Sequence, residues 1–145
     1  MCLEIDAAKT KKLRAKLKKH GKLTLWKVYD RMVRPRGDYL LSMIQGMRIS
    51  APGVVHSDRR RVELSLVEQD WHEVGIGIHV YLSKNAAKNQ LIFANRTIVP
   101  VVCHAQHFVA AGEDRTCNDS AVFTQVTITR SAFKNAFKNP LGDKK

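Results

Sequence analysis

A chain of 145 residues, 44% hydrophobic and 26% charged, can bury one core without disulfides or metals and predicts a single domain. Its net charge is +12, and it is uneven: residues 1–50 hold thirteen Lys and Arg against four acids, a net of +9, while residues 51–145 hold twelve against nine, a net of +3. A positive field crowded into the first third attracts nucleic acid or another acidic surface and says little about fold. The charged start, and the absence of any apolar run near about 18 residues, argue against a signal peptide and a membrane span. An odd set of cysteines, Cys2, Cys103 and Cys117, suits a reducing compartment.

In chain order, Asp6 predicts a helix cap, with a helix over residues 7–19 and Gly21 past its end. Leu13 and Leu17 form a thin apolar stripe, and seven of the eleven residues from Lys9 to Lys19 are basic. Charges this dense repel, so the helix is expected to fray or to need a partner. Its apolar face is too thin for insertion at a membrane surface. Leu23, Leu25, Lys27 and Tyr29 alternate with Thr24, Trp26 and Val28, the period of a strand. Arg34-Pro35-Arg36-Gly37 reads as a turn, residues 38–44 as a short strand or a helical turn, and Pro52-Gly53 as another turn. A strand is expected over residues 62–67 and a loop over the mostly acidic 68–73.

The clearest unit follows. Ile76, Ile78, Val80 and Leu82 alternate with Gly77, His79 and Tyr81; Ser83 then predicts the cap of a helix running to Asn95, with Ala87, Leu91 and Ala94 on one face. Pro100, inside the apolar run 98–103, predicts an edge strand or a bulge. Residues 121–129 alternate with high β-branched content. Ser131 is expected to cap a last short helix bearing Phe133 and Phe137, ended by Pro140. The sum is an α+β single domain: a mixed or antiparallel sheet of about five strands, a basic N-terminal helix, a central helix and a short C-terminal helix. Residues 1–22 would be a basic arm, 23–139 the domain and 140–145 a loose tail.

Four constellations could carry chemistry. Cys2, if it became N-terminal, would place a thiol beside a free amine, as in N-terminal-cysteine amidotransferases, but Leu3-Glu4 replaces the glycine those enzymes carry. Cys103, His104, His107 and Cys117 are zinc-type ligands at a spacing unlike a standard finger or ribbon, and adjacent strand residues such as Cys103 and His104 point to opposite faces. His79 and Tyr81 share a strand face and, with Glu68, Asp70 or Glu73, could compose an acid–base site. The strand, serine and alanine-bearing helix there resemble a piece of the ADP-ribosyltransferase fold, but the late strand lacks that fold's catalytic Glu. The fourth constellation is basic: Lys11, Lys12, Arg14, Lys16, Lys18 and Lys19, then Arg31, Arg34 and Arg36, then Arg59, Arg60 and Arg61. Trp26, Tyr29 and Tyr39 lie near enough in sequence to stack bases. Such binding would be directed at the phosphate backbone and sensitive to salt.

The Met1-Cys2-Leu3 start, the basic helix, Leu25-Trp26-Lys27-Val28, the Gly77-Ile78-His79-Val80-Tyr81-Leu82 strand and Ala121-Val122-Phe123 resemble uncharacterised small proteins of phages and prophages. The resemblance implies a viral accessory protein in the bacterial cytoplasm, directed against host defence, and carries over no catalytic residue. The expected function is binding of nucleic acid or a nucleoprotein complex through the N-terminal third, without a cofactor or membrane. The alternatives are an inhibitor of an acidic host protein, and a small enzyme centred on His79.

Overall fold

A computed structural model describes residues 3–42, 48–56, 64–68, 71–74, 77–91, 95–114 and 118–138. Its strands are β1 (Leu3–Ile5), β2 (Lys22–Met32), β3 (Tyr39–Ser42), β4 (Arg48–Ile49), β5 (Gly53–His56), β6 (Leu64–Glu68), β7 (Trp71–Val74), β8 (Ile78–Tyr81), β9 (Arg96–His104), β10 (Phe108–Glu113), β11 (Asp119–Phe123) and β12 (Gln125–Ile128). The helices are α1 (Ala7–His20), α2 (Lys84–Lys88) and α3 (Arg130–Asn135). The strands form one antiparallel sheet in the order β5-β12-β9-β2-β8-β11-β10-β1-β7-β6, with β3 and β4 branching from β2. This overturns the expected α+β domain with about five strands. Most of the described residues lie in strands, and of the α-helices among them only α1, with 14 residues, exceeds two turns. Several added strands have only two to four residues, too few to show alternation, and exist because a neighbour supplies their hydrogen bonds. Of residues 68–73, read as a loop, Glu68 ends β6 and residues 71–73 belong to β7, while 69 and 70 lie outside the described residues.

β2 and β9 are the spine. They pair through nine register positions, from Lys22 opposite His104 to Asp30 opposite Arg96. Pro100 therefore sits in a strand flanked on both sides, not at an edge. A proline cannot take part in a pair that exchanges both hydrogen bonds, so opposite Trp26 it occupies a non-bonded position. Its missing donor faces β12, which meets β9 at only one register pair, Thr127 with Val102. The sheet rolls on itself. Val55 of β5 and Ala111 of β10, far apart in strand order, belong to one core with Leu25, Val101, Phe123 and Val126. The roll turns at Thr124, where one run of chain leaves β8 and β10 and joins β5 and β9; Thr124 N donates to His107 O at 2.9 Å there.

α1 is docked rather than frayed. Asp6 Oδ1 accepts from Lys9 N at 3.0 Å, and Gly21, at φ 79°, sends its N–H back to Leu17 O. Leu13 and Leu17 sink into the core. Thr10 Oγ1 both donates to Ala111 O and accepts from Ala111 N, at 2.9 and 3.0 Å, which seats the helix on β10. Burying two leucines contributes roughly 3–6 kcal/mol, enough to offset much of the like-charge repulsion along the exposed side. On the opposite face of the sheet, Ala86 and Ala87 of α2 pack on Val28 and Tyr81, with Trp26, Leu91 and Ile98 around them. Ser83 caps α2 as its sequence predicts, but the helix ends at Lys88 and its last turn tightens through Gln90 N to Ala87 O and Leu91 N to Lys88 O. α3 is capped by Thr129, two residues before the expected Ser131.

Candidate functional site

Docking fixes which side of α1 faces out. At about 100° per residue, Thr10, Leu13 and Leu17 share the inward arc, while Lys11, Lys12, Lys16, Lys18 and Lys19 spread over ~160° on the opposite side. All five lysines are exposed, and among the described residues none has an ion-pair partner. Lys9 is different: it bonds to Asp119 at 2.6 Å and Glu113 at 2.9 Å, and these bonds hold its ammonium above the usual lysine range. Arg14 is partly committed, its guanidinium over the Phe108 ring at 5.3 Å and Nη2 3.5 Å from Val109 O. The sequence-predicted set thus separates into five free lysines and one arginine leaning on the sheet.

The other basic clusters do not join this face. Arg34 and Arg36 lie beyond the far end of β2, ten residue steps or ~33 Å along the strand from Lys22. Arg31 is drawn into the fold by a bond to Lys138 O at 2.6 Å. Arg59, Arg60, Arg61 and Cys2 lie outside the described residues, as does the 140–145 tail. The aromatic stacking platform is also corrected. Tyr29 is buried in the core, Trp26 packs beside α2 with Lys84 over its ring, and only Tyr39 stands near arginines.

Strand order does not bring the predicted carboxylate positions beside His79 among the described residues. β8 and β7 are four strand spacings apart in the sheet, ~19 Å along it, which separates Glu73 from His79; Glu68 is a strand further on, in β6, and Asp70 lies outside the described residues. His79 Nδ1 lies 3.3 Å from Gly77 O. The carboxylate that meets Tyr81 is Asp114, which accepts from its hydroxyl at 3.1 Å in a buried setting. Burial first, then the Asp114 charge, push the Tyr81 phenol above its usual range, so it keeps its proton. Nothing in the local sequence around Asp114 signalled this bond, because it depends on β8 pairing with β11.

The zinc constellation also fails. Cys103 is fully buried in the core, and burial pushes its thiol up to about 12, the reverse of a thiolate ligand. His104 faces the other way and stands edge-on to His107, ring centroids 6.5 Å apart. Cys117 lies outside the described residues, and among those described no His, Cys, Asp and Glu group could hold a metal ion.

The alternation of β2 puts Lys27 on the inward face with Leu25 and Tyr29. Its ammonium donates to His79 O at 3.0 Å and lies 5.3 Å from the Tyr29 ring, and burial pushes it down to about 8. The Tyr29 hydroxyl is buried with no hydrogen-bond partner among the described residues, and burial raises its pKa.

No helix among the described residues is long and apolar enough to cross a membrane. No family model, curated protein or solved structure matches the chain.

Proposed function

We propose that this protein binds nucleic acid, or a nucleoprotein complex, through phosphate contacts made by the outer face of α1. The observation that carries the reading is that Lys11, Lys12, Lys16, Lys18 and Lys19 are exposed, and have no ion-pair partner among the described residues, on a helix that the core holds in place. Placing five like charges on one docked helix opposes folding, and nothing within the described fold uses them. The face carries alanines between the lysines and no aromatic, Met or Leu side chain. Protein–protein interfaces are poor in lysine and built around such apolar anchors, which favours a phosphate backbone over an acidic protein. That outer arc carries no aromatic ring to stack on a base and no Arg, Asn or Gln fork to read a base edge, so the binding is directed at the phosphate backbone. A phage-type accessory role in the bacterial cytoplasm belongs to the same proposal, supported by the short sequence likenesses described above.

The test is the salt dependence of binding. Five neutralised phosphates give a slope of about −4.5 in log K against log salt for duplex DNA and about −3.5 for a single strand. Duplex affinity should then fall about three thousand-fold between about 50 and about 300 mM salt. Each Lys→Gln change on this face should flatten the slope by about 0.9. Absence of binding at low salt, or an unchanged slope in the folded five-lysine variant, would refute the proposal.

A further inference from the structure

The loop between β2 and β3 builds a second cationic feature, distant from α1 and unlike it in shape. Gly37 N donates to Arg34 O at 3.0 Å, with Pro35 at the second turn position, where its fixed φ suits the bend. Asp38 Oδ1 accepts from Arg34 N at 3.3 Å and ties the loop to itself. Gly37 sits at φ 137°, a backbone region that disfavours any side chain. The turn lines an open cleft of about 610 Å³ together with Tyr39, Arg48 and Ser50. The Arg48 guanidinium lies over the Tyr39 ring at 4.6 Å, which restricts its orientation. Arg34, Arg36 and Arg48 have no ion-pair partner among the described residues.

We infer that this cleft is a binding site for a phosphorylated nucleoside, with the phosphates held by Arg34, Arg36 and Arg48. Planar guanidinium forks match phosphate oxygens in pairs, and a guanidinium already stacked on a ring loses less freedom on binding. The cleft is far larger than one phosphate and falls among the sizes of ordinary small-molecule sites, roughly 300–1,000 Å³. Its lining is not uniformly cationic. The Asp38 carboxylate and the Ser50 hydroxyl can accept hydrogen bonds from a sugar. A carboxylate among the arginines repels a continuous phosphodiester backbone, but a small ligand can turn its hydroxyls toward it. The inference does not depend on the α1 reading.

Calorimetric titration with ADP tests it, with adenosine and inorganic phosphate as controls and the full chain as the protein. ADP should bind, and adenosine and inorganic phosphate should each bind at least about tenfold more weakly. Arg36→Gln and Arg48→Gln should each weaken ADP binding about tenfold. Arg36 is exposed on the turn, so its variant leaves the fold intact and keeps the test decisive. The variant carrying glutamine at the five α1 lysines should bind ADP as the wild type does. No ADP binding by the wild type, ADP binding unchanged by both arginine substitutions, or equal affinity for ADP and inorganic phosphate would each overturn the inference. DNA retention by the Arg36→Gln variant is a separate readout, so failure at the cleft is distinguishable from failure at α1.

Discussion

Replacing Lys27 by methionine probes the energetics of the rolled sheet most directly. The ammonium titrates at about 8 in the fold, against 10.5 for an ordinary lysine, and burial is the cause. Below pH 8 both the folded and unfolded chains carry this proton, and the whole cost of burying the charge is present. Between about 8 and 10.5 the unfolded chain binds more protons than the folded one, so this group makes stability rise with pH. The 2.5-unit difference corresponds to about 3 kcal/mol, an upper figure because part of the side chain still reaches water. Methionine matches the stem in length, removes the charge, and forfeits the charge-assisted bond to His79 O, worth about 1.5–3 kcal/mol. Lys27→Met should therefore gain up to about 1.5 kcal/mol at pH 7. Cys103 works in the other direction: raised from 9 to about 12, it contributes stability that is lost as pH climbs through that interval. The Lys27 contribution is isolated by subtracting the variant's curve from the wild type's. Urea denaturation at several pH values from 7 to 10 measures both. The reasoning fails if the two proteins share one pH profile, or if the variant is the less stable at pH 7.

The remaining predictions concern the scaffold beneath the lysine face. Leu17, fully buried at the junction of α1 with the core, should cost about 2–5 kcal/mol when cut to alanine, read as a lower urea midpoint; the same variant should weaken DNA retention once the helix detaches. Gly112 lies against β1 so closely that an added Cβ would clash with Glu4 O. Gly112→Ala should part β1 from β10 and lower the thermal midpoint by more than an alanine at exposed Lys12 does; equal midpoints would contradict the register of Ile5 opposite Gly112.

The two cationic features differ in how they were reachable from sequence. The lysines of α1 could be read in order because helical spacing and two leucines suffice to say which side is wet. The Arg34-Pro35-Arg36-Gly37 turn was legible as a turn, but its cleft was not, since Arg48 and Ser50 reach it only through β4 pairing with β3. Zinc and acid–base constellations failed for the same reason in reverse. Nearness along the chain suggested Cys103 with His104, and His79 with Glu73, but strand alternation parts the first pair and the strand order parts the second.

Local chemistry alone determined the capped basic helix, the alternating faces of β2 and β8, the Ser83 cap and the concentration of charge in the first third. Those features depend on a few neighbouring residues, and periodicity records them. Tertiary structure decided the number of strands, the flanked position of Pro100, the seating of α1 on β10 and the burial of an amine at Lys27. A strand of three residues has no stability or pattern of its own; its existence is a property of the edge it pairs with, and that edge lies elsewhere in the chain.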